Sequence, residues 1–219
     1  MKTVALIPIK LDSKRLPCKN IKKFYDGTPL VYFIQKVCLE SEKIDDTYIY
    51  CSDDRIQEYL LPDIKFLKRP EYLDEDNKNA NDVIREFIKT VDAEIYVNAH
   101  ATSPFATVQT INTCINKVKN KENDSAFCAK SVKSFLWQNG KPVNYDIDHL
   151  PRTQDLPQIY AATSIAYVFS KETFIKYGRR IGNNPYIHEV GCIEATDIDY
   201  PEDFEIANAI YKEIVNKGR

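Results

Sequence analysis

The sequence predicts an α/β fold in which a mostly parallel sheet is covered by helices on both faces. Over residues 1–120, short apolar runs alternate with longer segments whose apolar residues recur at helical spacing. Strands that alternate with amphipathic helices usually pair in parallel, and the helices then cover the sheet. No long linker rich in Gly, Ser or Pro interrupts the chain. We therefore expect a single domain spanning residues 1–219.

Four apolar runs in this half of the chain are bounded by polar or turn residues and are predicted strands: residues 3–7, 47–51, 63–67 and 94–99. The segments between and after them carry apolar side chains on one helical face, as Leu30, Phe33 and Ile34 do in the first. These predicted helices cover residues 29–40, 81–92 and 107–119.

The second half of the chain departs from this alternation. Ser125–Lys130 and Phe135–Trp137 are predicted strands, and Asn139-Gly140 is a strong signal for a two-residue hairpin turn. A polar stretch without periodicity follows, before an apolar strand at residues 164–169. We expect residues 125–165 to form a small β and loop segment that protrudes from the main sheet as a lid or a subunit contact.

Composition excludes several classes of function. The formal charge is −2, from 30 basic and 32 acidic residues, so the chain as a whole attracts neither nucleic acid nor an anionic membrane. The amino terminus shows no signal-peptide pattern, and no stretch approaches the roughly 20 apolar residues of a membrane helix. The six cysteines form no Cys-x-x-Cys pair, which argues against zinc. A cytoplasmic protein is expected.

The loop after the first strand concentrates positive charge. Lys10, Lys14, Arg15 and Lys19 lie in irregular backbone at the carboxyl end of a strand, where open α/β sheets bind ligands. Four cations so close together repel one another unless an anion neutralises them, and a nucleoside triphosphate is the natural candidate. The loop lacks the glycine spacing of a Walker A motif.

Two carboxylates form the second candidate feature. Asp197 and Asp199 lie two residues apart, just before a helix predicted over residues 201–217 with Pro201 in its first turn. In an extended tripeptide both side chains point to one side and suit one divalent cation, most simply Mg²⁺ with water and phosphate oxygens. The alternative is that one of them only caps the helix.

Five stretches in this order carry a resemblance: Ile7–Asn20, Arg69–Leu73, Thr102–Pro104, Arg152–Pro157 and Asp197–Phe204. Together they resemble the acylneuraminate cytidylyltransferase family, the synthetases of CMP-activated sialic acid and related acidic sugars. The resemblance implies a Rossmann-like domain and a homodimer formed through the protruding segment. It also implies transfer of CMP from CTP to the anomeric hydroxyl of a 2-keto-3-deoxy sugar acid, with release of pyrophosphate and with Mg²⁺.

The resemblance also assigns roles to individual residues of this chain. Asp197 and Asp199 would hold the metal, and Lys10, Lys19 and Asp199 would be catalytic, with Lys19 at the α-phosphate. The residues expected to bind the nucleotide are Lys10, Ser13, Lys14, Arg15, Lys19, Asn20, Arg69 and Asn79. Those expected to bind the acceptor are His100, Thr102, Ser103, Arg152, Gln154, Asp155 and Tyr160.

Several positions depart from the family's pattern. Lys10 stands where Arg is usual, and it offers a point charge in place of a guanidinium that contacts two phosphate oxygens at once. Asp12 replaces a small Gly and is expected to pair with Lys14 or Arg15, or else to join the metal. His100 replaces a Gln that reaches the sugar, and could contact an acidic acceptor, act as an acid or base, or be only hydrogen-bonded. The identity of the acceptor therefore stays open.

Three functions are consistent with these residues. The leading one is a CTP-dependent cytidylyltransferase that activates a nonulosonate-type 2-keto-3-deoxy sugar acid for bacterial surface-glycan synthesis. A second keeps the nucleotide chemistry but uses a small phosphate or phosphonate as acceptor. The third is a nucleotide-binding paralogue without turnover, which only the changes at Lys10 and Asp12 favour.

Overall fold

The computed structural model describes residues 1–215 and is built around a seven-stranded sheet. The strands of the described chain are β1 Thr3–Ile9, β2 Asp46–Cys51, β3 Ile64–Lys68, β4 Ile95–Ala99, β5 Ser125–Ser131, β6 Trp137–Gln138, β7 Lys141–Pro142, β8 Tyr160–Ser170 and β9 Pro185–Glu189. The sheet order is β3-β2-β1-β4-β8-β5-β9, while β6 and β7 form a separate hairpin. All neighbours in the sheet pair in parallel except β8, which runs antiparallel to β4 and β5.

The α-helices of the described chain are α1 Leu30–Glu40, α2 Ala80–Thr90, α3 Val108–Lys119, α4 Lys171–Tyr177 and α5 Pro201–Ile210. The last one continues as a π-turn over Tyr211–Val215. Residues 216 and 217 of the predicted final helix lie outside the described residues. Within residues 1–215, no helix is both long enough and apolar enough to span a membrane.

The predicted fold class is confirmed, since a mostly parallel sheet carries helices on both faces. Each predicted strand and helix up to residue 119 appears within one or two residues of its expected bounds. The sequence prediction missed α4 and β9. The first has only seven residues, too few to display a helical period, and the second has no fully buried residue and so lacks an apolar run.

The sheet is packed on both faces. On one face, Ile7 of β1 lies in an apolar cluster with Ile34 of α1 and Ile115 of α3. On the other, Leu6 of β1 lies in a cluster with Phe87 of α2. Successive residues of one strand therefore serve opposite cores, as the two-residue period of a strand requires.

A third apolar cluster lies beside the sheet and joins distant parts of the chain. It contains Leu16 from the loop after β1, Ile198 from the segment before α5, and a group of aromatic rings. The ring of Phe24 lies 5.0 Å from that of Phe33 and 4.9 Å from that of Phe204 in α5. The cluster fixes the position of the cationic loop relative to the two carboxylates.

The segment predicted to protrude is partly in the main sheet, because both ends of the range 125–165 belong to β5 and β8. The part outside the seven-stranded sheet is residues 132–159, here called the arm. Its hairpin turns at Asn139 and Gly140, whose φ angles of 50° and 75° match the left-handed conformation that such two-residue turns require.

Two residues of α5 test the third cluster. Phe204 is 2% exposed, whereas Ile206 on the same helix is 58% exposed. Phe204→Ala is expected to lower the free energy of unfolding by about 3 kcal/mol or more, because it leaves a cavity among packed rings. Ile206→Ala is the matched control and should change it by less than about 0.5 kcal/mol. Urea denaturation followed by circular dichroism measures both, and equal effects would contradict this packing.

Candidate active site

The candidate site lies at the edge of the sheet where β1 and β4 end and β8 begins. The cationic loop leaves β1 at this edge, and the segment after β4 is tied to the edge by the bond from His100 N to Ile165 O, 3.3 Å. The backbone N of Ile198 donates to the Thr102 carbonyl oxygen at 2.9 Å. Residues 197–199 are thereby anchored beside the end of β4.

Lys19 connects the cationic loop to the carboxylates. It is only 6% exposed, and its Nζ donates to the Ile198 carbonyl oxygen at 2.7 Å and to Asp199 Oδ1 at 3.0 Å. Arg15 reaches the same carboxylate, with Nη2 2.8 Å from Asp199 Oδ1. The structure thus brings the cationic loop and the acidic pair together. The sequence predicts each of the two as a candidate feature, but they lie about 180 positions apart.

The remaining loop cations also have partners. The Lys10 ammonium donates to the Asp74 carbonyl oxygen, and Lys14 forms an exposed ion pair with Asp76. Asp12 pairs with neither Lys14 nor Arg15, because both are engaged by other acidic residues. Three of the four loop cations therefore face a carboxylate, two of them the same one, and Lys10 faces a backbone carbonyl oxygen.

Ser13 and Asn20 shape the loop around a single carbonyl group. Ser13 Oγ donates to the Lys10 carbonyl oxygen at 3.3 Å, and Asn20 Nδ2 donates to the same atom at 3.0 Å. Both predicted nucleotide-binding residues therefore lie at the base of the loop. Their contacts hold its backbone in place.

Arg69 and Asn79, expected to border the cytidine, have different positions. Arg69 is 4% exposed and forms an ion pair with Asp74, while its Nε has no partner among the described residues. Asn79 begins α2 as its N-cap, and its Oδ1 accepts from the backbone N of Asn81 at 2.8 Å. Arg69 thus supports the residue whose carbonyl receives Lys10, whereas the side-chain oxygen of Asn79 stabilises a helix terminus.

The two aspartates are suited to a divalent cation. Ile198 between them is fully buried, so the flanking side chains lie on the opposite side of the segment. Asp197 Oδ2 accepts from Ser164 Oγ at 2.9 Å, but Asp197 Oδ1 is buried without any partner in residues 1–215. The described chain holds no cluster of three or more metal-ligating side chains, so water and phosphate would complete the coordination.

The predicted acceptor residues fall into two groups. His100, Thr102 and Ser103 lie at the end of β4, and Ser103 Oγ is buried without a partner in the described chain. The second group, comprising Arg152, Gln154, Asp155 and Tyr160, lies on the arm and at the start of β8. Within residues 1–215, no hydrogen bond or ion pair joins the second group to the first or to the aspartates.

Members of the second group interact locally. Arg152 Nε donates to Asp155 Oδ2 at 2.7 Å, and the Tyr160 hydroxyl donates to Glu189 at 3.3 Å. These contacts lie on exposed parts of the chain. The resemblance assigned these residues to the acceptor site, but this structure does not bring them to it.

His100 is held as a neutral imidazole. Its Nε2 lies 3.1 Å from Arg180 Nη1, which can only donate, so this nitrogen accepts. Burial first, and then the charges of Arg180 and Lys19, together lower the pKa of His100 to about 3. His100 therefore does not offer a positive charge to an acidic acceptor.

Arg180 is the residue of this site that the sequence prediction missed. It follows α4, and its Nη1 also donates to Asn98 Oδ1 at 2.7 Å. Its guanidinium carbon lies 3.5 Å from the centre of the Tyr167 ring. No motif surrounds the Arg179-Arg180 pair in the sequence, so only the tertiary fold reveals its position beside β4.

Solved structures share this architecture. A CMP:2-keto-3-deoxy-manno-octonic acid synthetase complexed with CTP superposes with a TM-score of 0.74 and 15% identity, covering 97% of this chain and 99% of that one. The 4-diphosphocytidyl-2C-methyl-D-erythritol synthase of Anaerococcus prevotii superposes with a TM-score of 0.68 and 16% identity, covering 97% and 96%. At these identities the likeness concerns the fold.

Curated sequences agree with the structural neighbours. The N-acylneuraminate cytidylyltransferase of Streptococcus agalactiae serotype V is 24% identical over 93% of this chain and 52% of its own length. This chain therefore spans about half the length of that relative. The pseudaminic acid cytidylyltransferase of Campylobacter jejuni serotype O:2 is 25% identical and is covered over 97% of both chains.

A family model described as cytidylyltransferase matches residues 4–216, almost the whole chain. The match includes the cationic loop, the end of β4 and the two aspartates, which are the features that the structure assembles at one edge. The resemblance carried by the five sequence motifs is thereby confirmed, and this chain belongs to the cytidylyltransferase family.

Proposed function

We propose that the protein transfers CMP from CTP to the anomeric hydroxyl of a 2-keto-3-deoxy sugar acid and releases pyrophosphate. The observation that carries the proposal is the buried Lys19 ammonium against Asp199, with an unpartnered oxygen of Asp197 beside it. The names of the relatives, which include enzymes for sialic, pseudaminic and 3-deoxy-manno-octulosonic acids, support a sugar acid as acceptor. We place the reaction in bacterial surface-glycan synthesis.

In this proposal the triphosphate replaces the protein groups that the loop cations contact. Lys10, Lys14 and Arg15 are already at the edge of the sheet and need only exchange a protein oxygen for a phosphate oxygen. Lys19 is buried and fixed, so it is the cation best placed to neutralise the α-phosphate as CMP is transferred. Positioning and cancellation of charge are the main demands of such a displacement.

Mg²⁺ is proposed as the cofactor, held by Asp197 and Asp199. When bound, it would neutralise charge on the triphosphate and on the departing pyrophosphate. The buried, unpartnered Asp197 Oδ1 supports this assignment, because a buried polar oxygen without a partner is unfavourable. Asp203 Oδ2 accepts from the backbone N of Asp199 at 2.9 Å and so keeps that residue in place.

The protein as a whole is proposed to act as a homodimer that contacts its partner through the arm. Large apolar side chains are exposed there, among them Trp137, Ile147 and Leu150. Inside the arm, the ring of Phe135 packs 4.6 Å from that of Tyr145, which gives the exposed side chains a structured base. A second copy of the arm would remove these side chains from water.

The acceptor class is tested by Mg²⁺-dependent pyrophosphate release from CTP. One pool contains N-acetylneuraminate, pseudaminate and 3-deoxy-manno-octulosonate, and the other contains small phosphates together with 2-aminoethylphosphonate. We expect release with the first pool only. Release with the second pool alone would mean that the acceptor is a phosphate or phosphonate. No release with either pool, despite CTP binding, would indicate the paralogue without turnover.

Asp199→Asn separates metal binding from nucleotide binding. It should reduce pyrophosphate release at least about 100-fold, because half of the proposed metal site is lost. In EDTA, however, the variant should bind CTP several-fold more tightly than the wild type, because Lys19 and Arg15 no longer face a carboxylate. Calorimetry measures the affinity.

Asp92→Asn, at an exposed ion pair remote from the site, is the control. Unchanged metal-free affinity would contradict this electrostatic account.

Leu150→Asp tests the proposed dimer. Sedimentation equilibrium should give twice the mass of one 25.3 kDa chain for the wild type and close to one chain for the variant. Leu150 is 67% exposed, so the substitution should not unfold the protomer. Ile175→Asp, equally exposed on α4, is the control and should leave the mass unchanged. A wild-type mass of one chain would exclude the dimer.

A further inference from the structure

The turn after α4 brings Arg180 to the candidate active site. The backbone N of Arg180 donates to Asn81 Oδ1 at 3.2 Å, which ties the turn to the start of α2. From there the side chain crosses to β4 and β8, where it contacts Asn98, His100 and Tyr167. The Tyr167 ring thus packs against the face of the guanidinium, and Asn98 and His100 contact its edge.

No carboxylate of the described chain balances the charge of Arg180. Its three side-chain neighbours are an amide, a neutral imidazole and a phenol. In residues 1–215, no carboxylate lies within ion-pair distance of it, although Arg15, Arg69 and Arg85 each have one. Burial lowers the pKa of the Arg180 guanidinium, so the charge has lost much of its hydration. A poorly hydrated cation without a counter-ion favours binding of an anion.

Arg180 contacts His100, which directly follows β4 at the edge of the sheet where the cationic loop begins. The pKa of His100 is lowered by the charges of both Arg180 and Lys19, so the imidazole lies within electrostatic reach of the two cations. Two further donors near the end of β4 are buried without a partner in the described chain, namely Asn98 Nδ2 and Ser103 Oγ. These donors and Arg180 lie at the same end of β4, where the acceptor is proposed to bind.

We propose that Arg180 binds the carboxylate of the acceptor, an inference that rests on the proposed function. Its Nη1 is engaged by Asn98 and His100, while its Nε and Nη2 face no carboxylate in the described chain and match the two oxygens of one. The Tyr167 ring fixes the plane of the guanidinium. His100 is then a positioning residue that orients Arg180 through its accepting Nε2.

The first test compares Arg180→Gln with Arg179→Gln. Arg179 is the exposed neighbour, and its contacts are to Gly182, Asn183 and the Tyr177 ring. Arg180→Gln should raise the KM for the sugar acid roughly 10- to 100-fold, the loss expected for a charge-assisted pair, and leave the KM for CTP within about twofold. Arg180→Lys should recover part of the loss. Arg179→Gln should change neither constant. Equal rises in both constants, or an unchanged KM for the acid, would overturn the proposal.

A second measurement does not depend on turnover. The ¹⁵N signal of His100 Nε2 in the full-length protein should shift when N-acetylneuraminate, pseudaminate or 3-deoxy-manno-octulosonate is added, because Arg180 donates to that nitrogen. The corresponding carboxamides should produce no shift, and neither should the acids in Arg180→Gln. If no acid shifts the signal, the proposal fails even where pyrophosphate is released. If an acid shifts it without pyrophosphate release, Arg180 binds the carboxylate and the proposed reaction fails instead.

Discussion

The buried ammonium of Lys19 is the constraint on which the arrangement of the site depends. An isolated charge in this position would be strongly destabilising, and it is compensated by the Ile198 carbonyl and the Asp199 carboxylate. Both partners come from the far end of the chain. Leu16 and Ile198 pack into the same apolar cluster, so the polar contact and the apolar one fix the same two segments. The cationic loop and the carboxylates are therefore held together by contacts between segments about 180 residues apart.

The loop cations of the site contact oxygens that the protein itself supplies. Asp74, Asp76 and Asp199 supply oxygens to the loop cations, and Arg69 in turn holds Asp74. A triphosphate that binds as proposed would compete with these oxygens, and its affinity would be a difference between two sets of charge pairs.

The parts of this architecture that follow local rules could be predicted from the sequence. The strands and helices up to α3 have clear periods, and the cationic loop and the Asp197/Asp199 pair are short motifs whose spacing carries their chemistry. Arg180 could not be predicted, because its role depends on a turn that returns to β4 after a short helix. The neutral state of His100 depends on its burial and on that same contact, and both arise only in the folded chain. Arg152 shows that a matching motif does not by itself give the position of a side chain. Its motif matches the family, but its side chain lies with Asp155 on the arm.

The reversed direction of β8 has a consequence for how this chain can change in evolution. Both ends of the arm are held by the β5 and β8 ladder, with Ser131 opposite Tyr160 and Val132 N bonded to the Ile159 carbonyl at 2.9 Å. Insertions between these ends alter only the length of a closed loop, and each doubling of that length costs about 0.6 kcal/mol. No strand that carries the candidate site changes register. The arm can therefore change in length without disturbing that site.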